Sequence, residues 1–429
     1  MPTTGERGHC KTPVPQKIDD FDARFQGQQA GTCCADETMP EWAGEEAQRE
    51  LAPKGRFYEA HEFCNDLDIS LYFHIPFCRR KCPYCHFYVV PHETKAADSL
   101  LESLHLEWDQ NKHLVQGKNI VSVYFGGGTP FLIGPEAIAE ILSWIPISNA
   151  EITLEANPED VKLLAMQAFA RAGINRVSLG VQSLDNPLLK VLGRHHSSQQ
   201  AISAIEATFD AGISNITIDL MYEIPQQTLS SWKNTLTQLE TLPITHLSLY
   251  NLTIEPQTVF YKKRSELTPL LPSSEESLAM LNLAVASLEK MGLKRYEISA
   301  FAKEGFIAQH NTGYWLGRPF LGFGPSAFSF FDGKRYRNFC DLKKYSAALK
   351  SGKSPVDFTE QLTPLASLHE RLAVKLRMLD GVDRREFPIP EALYQKLQEK
   401  GWIHLDQNKA RLTDQGLLFY DSVAEEIIL

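Results

Sequence analysis

From residue 70 onward short β-branched runs alternate with longer amphipathic stretches, and no other feature of this 429-residue chain limits its fold as sharply. Strand-like runs occupy residues 70–75, 120–125, 151–156, 176–181, 215–222, 246–252 and 295–299. Helical periodicity fills the intervals at 95–114, 135–144, 160–172, 198–211, 229–239 and 273–291. Strands that alternate with helices build a parallel sheet with crossover helices. Repeated this often, the pattern predicts an α/β fold, a partial (β/α) TIM-like barrel over 68–305. Its chemistry belongs at the C-terminal ends of the strands.

The flanks read differently. Residues 1–67 are polar, acidic and aperiodic, which predicts a flexible extension with a short helix at 41–50. The adjacent Cys33 and Cys34 read there as ordinary thiols. Residues 1–70 hold fourteen acidic and seven basic side chains, so most of the net charge of −10 sits at this end. An acidic chain argues against generic nucleic-acid binding, which needs a basic face. No apolar run approaches the roughly 20 residues that cross a bilayer. Met1–Cys10 has Pro, Thr, Gly and charges where a signal peptide has an apolar stretch. The expectation is a cytoplasmic protein without membrane insertion. Residues 306–360 read as a linker. Beyond it, helices at 366–379 and 390–401, a hairpin of 402–405 with 409–412, and a closing helix at 414–427 predict a C-terminal α+β winged-helix-like module over 361–429. That module is not strongly basic, and its second helix carries few base readers, so DNA binding is not expected.

Of eight cysteines, Cys78, Cys82 and Cys85 fall within eight residues, directly after the first strand. Chain length and the missing secretion signal favour reduced thiols over disulfides. Clustering points to metal. Structural zinc takes four paired ligands, and no second pair follows at finger spacing. His74 or His86 would complete a tetrahedron only in an awkward geometry. Three thiolates on one loop suit a cubane iron–sulfur cluster, holding three irons and leaving the fourth open to a chelating amine and carboxylate. Other strand ends carry polar groups too. Gly126-Gly127-Gly128-Thr129-Pro130 follows the second strand, and glycines let a backbone approach a ligand closely. No Gly-Lys-Ser/Thr follows, as a phosphate loop would require. Glu155 ends the third strand, Gln182 the fourth, and Asp219 lies on the fifth. Each alone is most simply structural; successive strands presenting one apiece point to a shared ligand.

The CxxxCxxC loop with these strand ends resembles the radical S-adenosylmethionine (SAM) superfamily. That resemblance implies a 4Fe-4S cluster on Cys78, Cys82 and Cys85 with SAM at its open iron, where the family cleaves SAM reductively. Tyr72-Phe73-His74-Ile75-Pro76-Phe77-Cys78, Leu192-Gly193-Arg194-His195-His196 and Ile224-Pro225-Gln226-Gln227-Thr228 resemble motifs of the oxygen-independent coproporphyrinogen III oxidases and their relatives. The resemblance runs from about residue 67 to 429. It implies SAM contacts from Tyr72, Gly127, Glu155 and Arg194, joined by Tyr84, Gly128, Thr129, Gln182, Asp219 and Thr253. Glu223 stands where that family usually has Gly, so its turn is expected to differ.

One position divides this family. Its oxidases have a further cysteine two residues after the third cluster cysteine, and here that residue is Phe87. The related HemW-like heme chaperones carry an aromatic there and share a His-Asn-x-x-Tyr-Trp motif, present as His310-Asn311-Thr312-Gly313-Tyr314-Trp315. Tyr296-Glu297-Ile298-Ser299 and Leu321-Gly322-Phe323-Gly324 fit the same branch. His86, where these chaperones often have Asp, departs from it. Heme needs an axial donor, an apolar surface and polar groups for its propionates. The resemblance assigns the donor to His310, although a His beside Tyr-Trp is by itself more often a packed core residue. Two functions remain open. One is a chaperone that binds heme and carries it to apo-hemoproteins; the other is oxidative decarboxylation of coproporphyrinogen III to protoporphyrinogen IX. Phe87 and the His310 motif favour the first.

Overall fold

Strand β1 (Asp68–Ile75) is buried along nearly its whole length, as a strand must be when parallel neighbours and helices cover both its faces. The computed structural model describes residues 67–428; the acidic extension, residues 41–50, Cys33 and Cys34 lie outside the described residues. β2 (Asn119–Gly127), β3 (Glu151–Ala156), β4 (Arg176–Gln182), β5 (Asn215–Tyr222) and β6 (His246–Asn251) follow β1 in spatial order, each parallel to the last. Helices α1 (Thr94–Asn111), α2 (Gly134–Trp144), α3 (Leu163–Ala172), α4 (Ser198–Asp210), α5 (Leu229–Leu239) and α6 (Ser274–Lys290) alternate with them. Ser197, Thr228 and Ser273 start α4, α5 and α6 with reciprocal capping boxes. Each box satisfies backbone donors that a helix end leaves orphaned, and so fixes where the loop stops.

Two expectations are corrected. The run 295–299 does not add a parallel strand. The chain leaving α6 turns back at once, with Tyr296 N–H bonded to Ala300 O at 3.1 Å. Lys294–Arg295 and β7 (Ala300–Ala302) thus form a short antiparallel hairpin on the edge of β6. Nor is 306–360 a linker. It supplies α7 (Gln309–Trp315), β8 (Phe320–Phe323), β9 (Phe328–Phe331), β10 (Lys334–Asn338), α8 (Leu342–Lys350) and β11 (Val356–Gln361). β8 pairs in parallel with the other edge of β1, and β9 to β11 continue antiparallel beyond it. The apolar β1 would otherwise present an open edge. Phe73 of β1 stacks between Phe125 of β2 and Phe323 of β8, with ring centroids 5.3 and 5.0 Å away. The result is one 12-stranded sheet in linear order, a partial (β/α) barrel with an antiparallel extension at each end.

Residues 364–428 build the C-terminal module from α9 (Pro364–Lys375), β12 (Val382–Asp383), α10 (Glu391–Glu399), β13 (Ile403–Leu405), β14 (Lys409–Leu412), α11 (Asp414–Leu418) and α12 (Tyr420–Ile428). β12 turns the expected two-stranded wing into three strands. A separate core of Leu372, Tyr394, Leu397, Tyr420 and Ile427 holds the module together. Buried Arg377 ties it to the barrel: its guanidinium lies 3.4 Å from Glu297, 4.3 Å from the Trp315 ring centre and 5.2 Å from that of Tyr420. Cys340 is buried. Among the described residues, no helix is long and apolar enough to cross a membrane.

Candidate cluster and cofactor site

The loop after β1 carries Cys78, Cys82 and Cys85 over the C-terminal ends of the parallel strands, where they border a cavity of about 340 Å³. Tyr72, Tyr84, Gly127, Gly128, Thr129, Glu155, Gln182, Arg194, Asp219 and Thr253 line the same cavity. The loop is pinned outside by Arg79 Nε on Asp160 at 2.6 Å, and inside by Lys81 Nζ on the Phe87 carbonyl at 2.8 Å. All three thiols are free. Burial pushes the Cys78 thiol up and the Cys85 thiol up to about 12, so both stay protonated until a metal takes the proton's place. Among the described residues no trio of His, Cys, Asp or Glu converges on a single ion. Ligands that each serve a different iron of a cluster need no such convergence. Two neighbours reach the sulfurs: Thr129 Oγ1 lies 3.5 Å from Cys78 Sγ, and Arg194 Nη1 lies 3.5 Å from Cys82 Sγ.

The polar groups below the loop are only partly satisfied. Arg194 Nη2 donates to Asn157 Oδ1 at 2.6 Å and to the Gly180 carbonyl at 2.7 Å, while its Nε is buried without a partner. Thr253 Oγ1 is buried and unpartnered as well. Such orphans are uncommon in finished interiors and mark where a ligand would complete the bonding. Glu155 accepts from Tyr124 Oη at 2.7 Å and from Gly127 N–H at 3.1 Å. Burial, reinforced by the neighbouring Asp219 charge, pushes its carboxyl up to about 7. Burial likewise pushes Asp219 up to about 6, against the hydrogen bonds of Ser248 and Ser178. Two crowded carboxylates in one cavity favour a cation between them and the loop. These residues fit a cluster and an amino-acid-bearing cofactor.

The glycine run also has a cause within the protein itself. Gly127 sits at φ +106, and a Cβ there would stand 2.4 Å from the buried His74 ring. At Gly128 a Cβ would stand 2.6 Å from the Phe77 carbonyl. Glycine is required because the β1 loop already fills that space, and the freed N–H of Gly127 serves Glu155. Among the non-glycine residues with left-handed backbone are Gln182 (φ 64) at the end of β4 and Glu223 (φ 61) just after β5. Glu223 therefore keeps the positive φ that a glycine would give, and the departure from the family pattern leaves the turn's backbone in place at a cost in strain.

Asn157, Tyr124, Met221 and Tyr250 also line the cavity and were not singled out from the sequence. A period-two signal was available for three of them. Met221 follows Asp219 by two residues and Tyr124 precedes Gly126 by two, which places each pair on one face of its strand, and Asn157 continues the alternation from Glu155 one residue past the end of β3.

His310 is the site residue that the structure separates from the rest. It is only 1 % exposed and does not line the cavity. Nδ1 lies 2.9 Å from Ser122 Oγ, Nε2 lies 2.7 Å from Tyr314 Oη, and the ring stacks on Tyr124 at 4.8 Å. Burial, with the Arg318 and Arg176 charges, pushes its imidazole down to about 3, so it is neutral. Its motif partners Asn311, Tyr314 and Trp315 do reach the cavity. Tyr314 and Trp315 also wall a smaller hollow against the C-terminal module, opposite Arg371, Lys375 and Phe387.

A loop of three free thiols over strand ends rich in carboxylates defines a cofactor-binding (β/α) protein, and the comparisons give its class. The radical SAM superfamily profile matches residues 72–239. The heme chaperone HemW of Bacillus subtilis is 31% identical over 370 residues, covering 82% of this chain and 97% of that protein. HemW of Escherichia coli is 32% identical over 379 residues, with 83% and 97% covered. The mitochondrial radical S-adenosyl methionine domain-containing protein 1 of Danio rerio is 32% identical over 388 residues, with 85% and 87% covered. In fold, the chain is similar to the coproporphyrinogen III oxidase HemN of Escherichia coli, with TM-score 0.75 and 23% identity over 86% of this chain and 92% of that one. The chain belongs to the radical SAM superfamily, within its HemW-like family. Membership in the superfamily implies a 4Fe-4S cluster and SAM.

Proposed function

We propose that this protein is a heme chaperone. It holds a 4Fe-4S cluster through Cys78, Cys82 and Cys85, binds SAM beneath the loop, binds heme, and delivers heme to apo-hemoproteins in the cytoplasm. The observation that carries this reading is Phe87. It lines the cavity beside the cluster loop, at the position where the resembling oxidases have a further cysteine. The relatives named heme chaperone, matched over more than four fifths of this chain, support it. When bound, the cluster supplies one-electron reduction of SAM. The chain's own residues bind and orient. The Glu155 carboxylate, braced by Tyr124 and Gly127, faces the cofactor's ammonium. Arg194 Nε and Thr253 Oγ1 find their missing partners on its polar groups. Asp219 holds a second negative charge deeper in the barrel.

The test runs two assays on one anaerobically reconstituted preparation. With ferric heme the protein binds about one equivalent per chain; with coproporphyrinogen III, SAM and a reductant it forms no protoporphyrinogen IX. Accumulation of protoporphyrinogen IX would replace the chaperone reading with the oxidase one.

A further inference from the structure

Asn157, the first residue past β3, joins two side chains that each end on a cysteine sulfur. Arg194 Nη2 donates to Asn157 Oδ1 at 2.6 Å, and Asn157 Nδ2 donates to Thr129 Oγ1 at 2.9 Å. A guanidinium can only donate, so Oδ1 must face Arg194 and Nδ2 must face Thr129. Thr129 Oγ1 is then an acceptor from Asn157, and its own proton is left for Cys78 Sγ, 3.5 Å away. A metal-ligating cysteine has lost its proton, which fixes the direction of that bond. Arg194 turns its other terminal nitrogen, Nη1, to Cys82 Sγ at 3.5 Å.

All three side chains are anchored. Thr129 is buried, with its N–H on the Phe77 carbonyl at 2.7 Å. Arg194 Nη2 is held by the Gly180 carbonyl as well, at 2.7 Å. The Asn157 carbonyl accepts from Asp160 N–H at 3.0 Å, closing a turn whose Asp160 holds Arg79 of the cysteine loop from outside. Hydrogen bonds to the ligand sulfurs and charge close to them are the means by which a protein sets a cluster's potential.

We propose that Asn157 is a positioning residue for the cluster: it holds Thr129 on Cys78 and Arg194 on Cys82, and through these two donors it raises the reduction potential. Reduction here is the uptake of one electron from an external low-potential donor, with no bond or proton exchanged. The added negative charge is shared by the thiolate sulfurs, where the two donors stabilise it. This inference rests on the assignment of the cluster to Cys78, Cys82 and Cys85.

The experiment is a redox titration of the reconstituted full chain without SAM. Dithionite is the electron donor, and the paramagnetic resonance of the reduced cluster is the readout. Asn157→Leu, which keeps the bulk and removes both hydrogen bonds, shifts the midpoint to more negative potential. At the wild-type midpoint the ratio of reduced to oxidised cluster falls about tenfold, which is about 59 mV for one electron. Thr129→Val removes one donor and shifts the midpoint the same way by less. In the Thr129→Val background Asn157→Leu moves the potential less than it does in wild-type protein, because one of its two routes is already gone. An unchanged midpoint in Asn157→Leu overturns the inference, as does an equal shift in both backgrounds. Asn157→Ser, smaller and polar, repeats the measurement where Asn157→Leu assembles no cluster. Loss of the cluster in both makes the residue structural and overturns the inference as well. Wild-type protein that takes up no iron overturns the cluster assignment instead, so the two failures are distinct.

Discussion

Glu107 on α1, buried between helix and sheet, and Glu155 at the end of β3, on the cavity, are two interior carboxylates with opposite surroundings. Burial pushes each up to about 7. Glu107 is 3% exposed and accepts from Gly324 N–H at 2.8 Å, Asn338 Nδ2 at 2.6 Å and Tyr345 Oη at 2.6 Å. It ties α1 to the turn after β8, to β10 and to α8, and its bonding is complete within the protein. Glu155 has two donors, a like charge nearby in Asp219, and a face open to the cavity. The same group at the same cost of burial is thus a finished joint in one place and an unfinished site in the other. What separates them is the number of internal donors, not the degree of desolvation.

The largest expected effect is on the open side. Cys82→Ala should lower iron from about four per chain to near zero, because two thiolates do not hold a cubane. Iron and sulfide analysis after reconstitution checks this. Its thermal unfolding without the cluster should match that of the wild-type apoprotein, since the loop closes no part of the core; a large fall in stability would erase the distinction between the two regions.

Next come the two carboxylates themselves. Glu107→Gln should destabilise the fold by about 1–3 kcal/mol, as an amide NH₂ must face one of three donors. Glu155→Gln should leave unfolding within about 0.5 kcal/mol but weaken SAM binding about 10- to 100-fold, the worth of a charged hydrogen bond. Urea titrations and calorimetric SAM titrations of both variants test the pair. Equal effects on stability would show that the cavity group is as structural as the interior one.

The pH dependences separate them further. Glu107 is raised from its ordinary 4.5 to about 7 in the fold, so between those values the folded state holds a proton that the unfolded chain has released. Its share of stability is full below about 4.5, falls as pH rises toward 7, and is gone above it, on the order of 3 kcal/mol in all. Glu107→Gln should remove that share from a comparison of urea melts across this window. For Glu155 the sign for ligand binding is opposite: SAM affinity should fall as pH drops below about 7, where the carboxylate takes a proton, and should be flat in Glu155→Gln. The smallest effect belongs to strain. Glu223→Gly relieves a left-handed residue and should stabilise the fold by no more than about 1 kcal/mol, read from the same melts.

The parallel strands and their order were legible because a switch between periods of two and 3.6 needs no partner to be read. That Cys78, Cys82 and Cys85 border one cavity was legible from their spacing, and that Glu155, Gln182 and Asp219 join them from their positions at strand ends. Partner choice was not. Nothing local in Phe320–Phe323 says that it pairs with β1, and the segment read as a linker. Glu107 looks like a solvated charge on an amphipathic helix; only Asn338 and Tyr345, far along the chain, make it interior. The His310 motif shows that His310 and Tyr314 share a helix face, but not that the barrel's own Ser122 and Tyr124 enclose the histidine. The glycine run was noticed for a ligand's approach, but the His74 ring that also demands glycine at Gly127 was not.

The pairing of β8 with β1 also sets an order of events during synthesis. β1 and the cysteine loop leave the ribosome with more than half of the chain still to be made, and β1 waits with one edge open until Phe320–Phe323 arrives. A nascent chain ending after β6 would carry the complete loop and the strand-end carboxylates beside an apolar, unpaired edge. Such an edge recruits whatever strand is at hand, including that of a neighbouring nascent chain. The element that covers β1 is therefore also what withdraws that edge from other strands.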